Sequence, residues 1–162
     1  MKNVIIISAL FFGFLSCNTD NKVQTAETTP IEVPFTKEGE LVLKNGNTEI
    51  RRLNIEIADN QYEDQQGLMN RSKLDENNAM LFPFDEPKVQ TFYMKNTRIP
   101  LDLLYISADS IVLEIARNAK PYDETTIPSK VESQYVLEIN GGMADKWGIV
   151  PNQTKVSWKR TN

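Results

Sequence analysis

Apolar and polar residues are distributed along the chain in three regimes. Val4 to Leu15 is an apolar run broken only by Ser8 and Gly13. Asn18 to Pro34 is almost wholly polar. From residue 35 onward, short apolar runs alternate with polar ones, often with a period of two. Leu53, Ile55 and Ile57 alternate with Arg52, Asn54 and Glu56, which predicts a strand with one buried and one wet face.

The same pattern predicts the remaining elements in order. Leu41-Val42-Leu43 and Thr48 to Ala58 flank Asn45-Gly46-Asn47, a hairpin signal, since Asn-Gly suits the positive φ of tight turns. Asn60 and Glu63 have the spacing of a capping box and predict a short helix to Gln66, stopped by Gly67. Ala79 to Phe84 predicts a strand in which Pro83 marks an edge or a bulge. Asp85-Glu86-Pro87 predicts a turn, and Val89 to Asn96 the next strand.

Beyond the Arg98-Ile99-Pro100 break, strands are expected over Leu101 to Ser107 and Ile111 to Arg117, the latter with Ile111, Leu113 and Ile115 inward. Asn118 to Lys130 reads as a loop. Glu132 to Asn140 predicts a strand with Tyr135, Leu137 and Ile139 on one face and Glu138 on the other. A short helix over Met143 to Trp147 and a last strand over Lys155 to Trp158 follow. About eight short strands and two short helices point to a mostly β protein, a single antiparallel β-barrel or sandwich-like domain.

Composition narrows the chemistry. The chain has 162 residues, a net charge of −4, one cysteine and no histidine. The missing histidine removes Ser-His and Cys-His catalysis and imidazole metal sites. The acidic balance and the lack of a Lys/Arg cluster argue against a nucleic-acid partner. No cofactor is implied.

The opening segment reads as an address. Lys2, the apolar run and Phe14-Leu15-Ser16-Cys17 resemble a bacterial lipobox: residues 1–16 as a signal peptide, Cys17 as the acylated residue. Residues 17–34 are then the lipidated end and its flexible tether, and 35–162 the folded domain. Such a protein is held on the bilayer of the cell envelope through acylated Cys17, with its domain outside the cytoplasm.

The densest polar knot lies at Phe92-Tyr93-Met94-Lys95-Asn96-Thr97-Arg98, with Asp102 close behind. Arg71, Lys95, Asn96, Thr97, Asp102 and Glu138, rimmed by Tyr93 and Tyr135, form the candidate patch for a small-molecule, glycan or peptide ligand. The bland alternative is that Arg71 pairs with Asp102 or Glu138 as a brace. Two other chemistries compete. Asp102 and Glu138 are candidates for an acid-base pair in a hydrolase. Met69, Met80, Met94 and Met143 offer thioethers for copper, and carboxylates offer a calcium site.

Several ordered motifs carry a family resemblance: Gly67-Leu68-Met69-x-Arg71, Met80-Leu81-Phe82-x-Phe84, Phe92-Tyr93-Met94-Lys95-Asn96-Thr97, Pro100-Leu101-Asp102 and Tyr135-Val136-Leu137-Glu138. On these the chain, from about Leu53 to Trp158, resembles the bacterial and archaeal domain of unknown function family 192. The resemblance implies a compact, β-rich, barrel-like domain, often exported, and no activity. The chain departs from the family's pattern with Tyr93 in place of Trp, Ala79 in place of Gly, and altered turns at Asp109-Ser110 and Pro151-Asn152-Gln153.

Overall fold

The computed structural model describes residues 32–161. The expected signal peptide, Cys17 and most of the tether lie outside the described residues. The hairpin forms as β1 (Gly39–Asn45) and β2 (Thr48–Ile57), with Gly46 at φ +58° in the turn. Helix α1 (Gln61–Gln66) follows. Asn60 Oδ1 caps it, accepting from the backbone N–H of Tyr62 and Glu63 at 3.1 Å each. Glu63 Oε2 reaches back to Asp59 N rather than to the cap residue.

The two strands expected over residues 79–96 are one long strand, β3 (Asn78–Phe92). The expected Asp85-Glu86-Pro87 turn is a register break within it, between Pro83 and Lys88. The proline is tolerated because the ladder to the neighbouring strand is already broken there. Strands β4 (Leu101–Ile106), β5 (Val112–Ala119) and β6 (Ile127–Asn140) follow, then α2 (Met143–Lys146) and β7 (Thr154–Arg160).

The fold is mostly β, one seven-stranded sheet ordered β5-β4-β6-β3-β2-β1-β7, with two short helices. All neighbours are antiparallel except β2 and β3, which run parallel and are joined through α1. The sheet curls until its ends approach at one bridge, Ile111–Lys155, helped by Val156 N donating to Ser110 O at 2.8 Å. No continuous ladder closes it, so the barrel is an open one.

Both faces of the sheet are apolar. One cluster gathers Ile55, Ile57, Leu104, Ile106, Leu137 and Ile139 with Ala144 and Ile149. The other gathers Phe82, Leu103, Tyr105 and Val136 with Leu68, Leu74, Met94 and Ile99 from loops. Packing and register change two expectations. Glu56, placed on the wet face by its alternation, is buried. In β5, bulges in its pairing with β4 shift the phase, so that Val112 and Ile115 are buried while Ile111 and Leu113 are half-buried.

Candidate functional site

Register places four residues side by side on the second face. Glu56 of β2 is opposite Met80 of β3, Met80 opposite Glu138 of β6, and Glu138 opposite Leu103 of β4. Directly paired residues share a face, so Glu56 and Glu138 flank Met80, with backbones about 10 Å apart at two strand spacings. Arg71 comes in from the segment after α1. Its Nη1 stands 2.6 Å from Glu56 Oε2, both side chains being buried. The contact is a close ion pair between two buried side chains. Glu56 Oε1 accepts from Thr36 N at 2.6 Å.

Glu138 is different. It is 6% exposed, and its Oε2 has no hydrogen-bond partner among the described residues. Burial pushes its carboxyl up to about 8, against a partial pull downward from the Arg71 charge. At neutral pH it is therefore mostly the uncharged acid. Arg71 Nε is likewise buried without a partner.

A cavity of about 270 Å³ opens over Glu138. Buried Leu68, Phe82, Gln90, Thr97 and Glu138 form its floor, and exposed Asp64, Gln65, Thr91 and Tyr93 its rim. Phe84 and Phe92 add two further rings to the wall. Gln90 is held by Ser129 Oγ, which accepts from its N–H at 2.9 Å, and by its own Nε2 donating to Ser133 O. Burial also raises the Tyr105 hydroxyl behind the floor, which donates to Ile127 O at 3.2 Å. A second cavity, lined by Glu56, Arg71 and Met80, lies beyond Gly67, which contributes to both. Gly67 has φ +46° and ψ −134°, a conformation that only glycine adopts freely.

The eight expected site residues divide. Tyr93, Thr97 and Glu138 line the first cavity and Arg71 the second. Lys95 and Asn96 are exposed on a turn where Asn96 has φ +54°, and neither lines these cavities. Asn96 serves that turn through its carbonyl, which accepts from Asn70 N at 2.9 Å. Tyr135 projects to the opposite face and packs edge-on against Trp158. Asp102 is fully buried on that face, its Oδ1 accepting from Asn118 N and its Oδ2 from Ala144 N.

The single convergent patch is thus two separate structures. Arg71 pairs with Glu56, not with Asp102 or Glu138. The methionines divide as well: Met80 and Met94 are buried on one face, Met143 packs on the other, and Met69 lies on the cavity wall. Among the described residues no group of three or more His, Cys, Asp or Glu stands close enough to hold a metal ion. Glu56, Asp64, Gln90 and the phenylalanine wall were not legible as site residues. Glu56 reads as a wet-face position until the loop through Arg71 covers it.

The family of uncharacterised proteins DUF192, described as Uncharacterized ACR, matches residues 41–157. The chain belongs to DUF192. Two solved structures extend the comparison. A protein of unknown function from Novosphingobium aromaticivorans DSM 12444 is 39% identical, with 74% of this chain and 84% of that one covered and a TM-score of 0.69. A protein from Sinorhizobium meliloti 1021, titled "putative transcription regulator", is 33% identical over 78% of this chain and 97% of that one, with a TM-score of 0.71. No curated protein matches the chain.

Proposed function

We propose that this DUF192 protein is a lipid-anchored module of the bacterial cell envelope that binds a small ligand in the Glu138 cavity. One observation carries the binding reading: a carboxyl oxygen without a partner among the described residues, buried at the base of an open, ring-lined concavity. A buried polar group without a partner is uncommon and costs roughly 1–3 kcal/mol in the empty protein, which a ligand group seated on it would relieve. The cavity is at the small end for ligand sites, which start near about 300 Å³. It suits a small molecule or the side chain of a larger partner better than an extended glycan.

Hydrolysis by Asp102 and Glu138 is not favoured, because the sheet stands between them. The regulator title of the Sinorhizobium protein does not carry over easily to a chain with a net charge of −4.

Two experiments test the reading. Small aromatic fragments, screened against the full chain purified from membranes, are expected to slow hydrogen exchange around Gly67, Leu68, Tyr93 and Thr97. If no fragment protects that region, the cavity is not a binding site. Substituting Cys17→Ser is expected to move the protein out of the membrane fraction. Unchanged membrane retention removes the lipid anchor from the proposal.

A further inference from the structure

The charge and ring content of the Glu138 cavity narrow the ligand. Two carboxyl groups, Glu138 at the floor and Asp64 at the rim, line it, and among the described residues no lysine or arginine does. Four aromatic rings, Phe82, Phe84, Phe92 and Tyr93, make up much of the wall. Phe82 and Phe92 meet edge to face, with centroids 5.3 Å apart at 84°, a contact that fixes these two rings in the wall. Ring faces carry the negative end of the aromatic quadrupole and attract cations. One ring of this wall already takes a cation: Lys88 Nζ lies 5.4 Å from the Phe84 centroid.

The neighbouring charges do not cancel this preference. Arg71, the cation that acts on Glu138, is already ion-paired with Glu56 at 2.6 Å. Glu138 has no ion pair of its own among the described residues. When ionised it adds a negative charge, only partly offset by Arg71, at the bottom of a ring-lined hole.

We infer that the Glu138 cavity takes an organic cation, an amine or quaternary ammonium group carried on a small apolar body. This rests on the binding reading above and gives it a chemical class. The ammonium takes the place of the Glu138 proton: the carboxyl O–H breaks, the proton goes to solvent, and the carboxylate pairs with the ligand charge.

The groups around Glu138 set the pH behaviour. Arg71 faces it from the segment after α1, with Glu56 of β2 behind Arg71. Tyr105 of β4 couples to it and holds its own proton. Asp64 of α1 stands at the mouth, where burial and the Glu63 and Asp59 charges raise its carboxyl against a downward pull from Lys88, the cation on the Phe84 ring. Glu114 acts on Tyr105 rather than on the cavity. With Arg71 ion-paired to Glu56, binding of a fixed cation strengthens as pH rises through the Glu138 range. A neutral ligand that accepts a hydrogen bond from the protonated acid shows the opposite trend.

The test uses probes with similar bodies and different heads: phenethylamine and benzyltrimethylammonium as cations, phenylacetamide as neutral, phenylacetate as anion. Each is titrated by calorimetry into the full chain in neutral detergent micelles. The cations are expected to bind at least about tenfold more tightly than the other two, a difference of about 1.4 kcal/mol. Benzyltrimethylammonium, whose charge is fixed, is expected to gain affinity between about pH 6 and about pH 9 and to release a proton near neutrality.

Glu138→Gln is expected to abolish the preference for cations, and Asp64→Asn, on the exposed rim, to weaken it about twofold. The Asp64 variant keeps the test sharp if the core substitution disturbs folding. Tighter binding of phenylacetamide or phenylacetate overturns the inference, as does a preference that survives Glu138→Gln or cation affinity that falls with rising pH. If aromatic fragments protect the cavity while the cations do not, the inference fails and the binding reading stands. If nothing protects it, both fail.

Discussion

Asp102 and Glu138 sit on neighbouring strands, one residue out of register, and project to opposite faces of the same sheet. Asp102 is paired with Ile139 and Glu138 with Leu103. The shift by one residue reverses the side-chain direction. Asp102 therefore works against the backbone, clamping Asn118 and the first turn of α2 from β4. The four-residue helix has no side-chain cap of its own, and Asp102 supplies one.

The clamp is sensitive to chemistry rather than size. Asp102→Asn leaves one oxygen to accept from two backbone N–H groups and turns an amide toward the other. A loss of about 1–3 kcal/mol is expected by urea denaturation, with fragment binding at the Glu138 cavity unchanged. Lost fragment binding in a folded Asp102→Asn protein would tie the two faces together and count against their separation.

The Arg71–Glu56 pair is expected to behave as a buried ion pair. Arg71→Met strands Glu56, which has no other ion-pair partner among the described residues, and should cost about 3–5 kcal/mol. Replacing both, with Glu56→Leu added, should recover most of that. A single substitution costing under about 1 kcal/mol would mean that water or Lys side chains reach Glu56, contrary to its burial.

Glu138 makes stability depend on pH with a definite sign. Its carboxyl is raised from 4.5 to about 8 in the folded protein. Between those values the folded state keeps a proton that the unfolded chain has released. Stability contributed by Glu138 is present below about pH 4.5 and is lost as pH rises toward about 8, by on the order of 3–5 kcal/mol. Glu138→Gln carries no titrating proton. Its melting temperature is expected to exceed that of the parent at pH 8, with the gap closing toward pH 5. Parallel pH profiles for the two proteins would show that Glu138 titrates normally.

Gly67 is expected to resist substitution for conformational rather than steric reasons. A Cβ there would lie 3.5 Å from Phe82 Cζ and 3.9 Å from Glu138 Oε2, ordinary contact distances. The φ of +46° is what an L side chain resists. Gly67→Ala should cost about 1–2 kcal/mol by calorimetry and weaken fragment binding, since Gly67 walls both cavities. An unchanged melting temperature would mean that the end of α1 relaxes freely.

What the sequence determined by itself was largely local. The Asn45-Gly46 hairpin, the Asn60 cap, the Gly67 stop and the alternation through Tyr135 to Ile139 each depend on residues a few positions apart. These hold in the folded protein because period and turn chemistry are intrinsic to the chain. The mostly β class with two short helices follows from them.

Tertiary structure decided everything that required two distant segments to meet. The register of β6 between β3 and β4 put Glu138 beside Met80 and Leu103 and sent Asp102 and Tyr135 to the other face. The loop through Arg71 buried Glu56, whose alternation alone marks it as wet. Pro83 to Lys88 became a bulge rather than a turn, since β6 runs past both halves of β3. A carboxylate's role follows from what covers it and what pairs with it, and neither is written within reach of the residue itself.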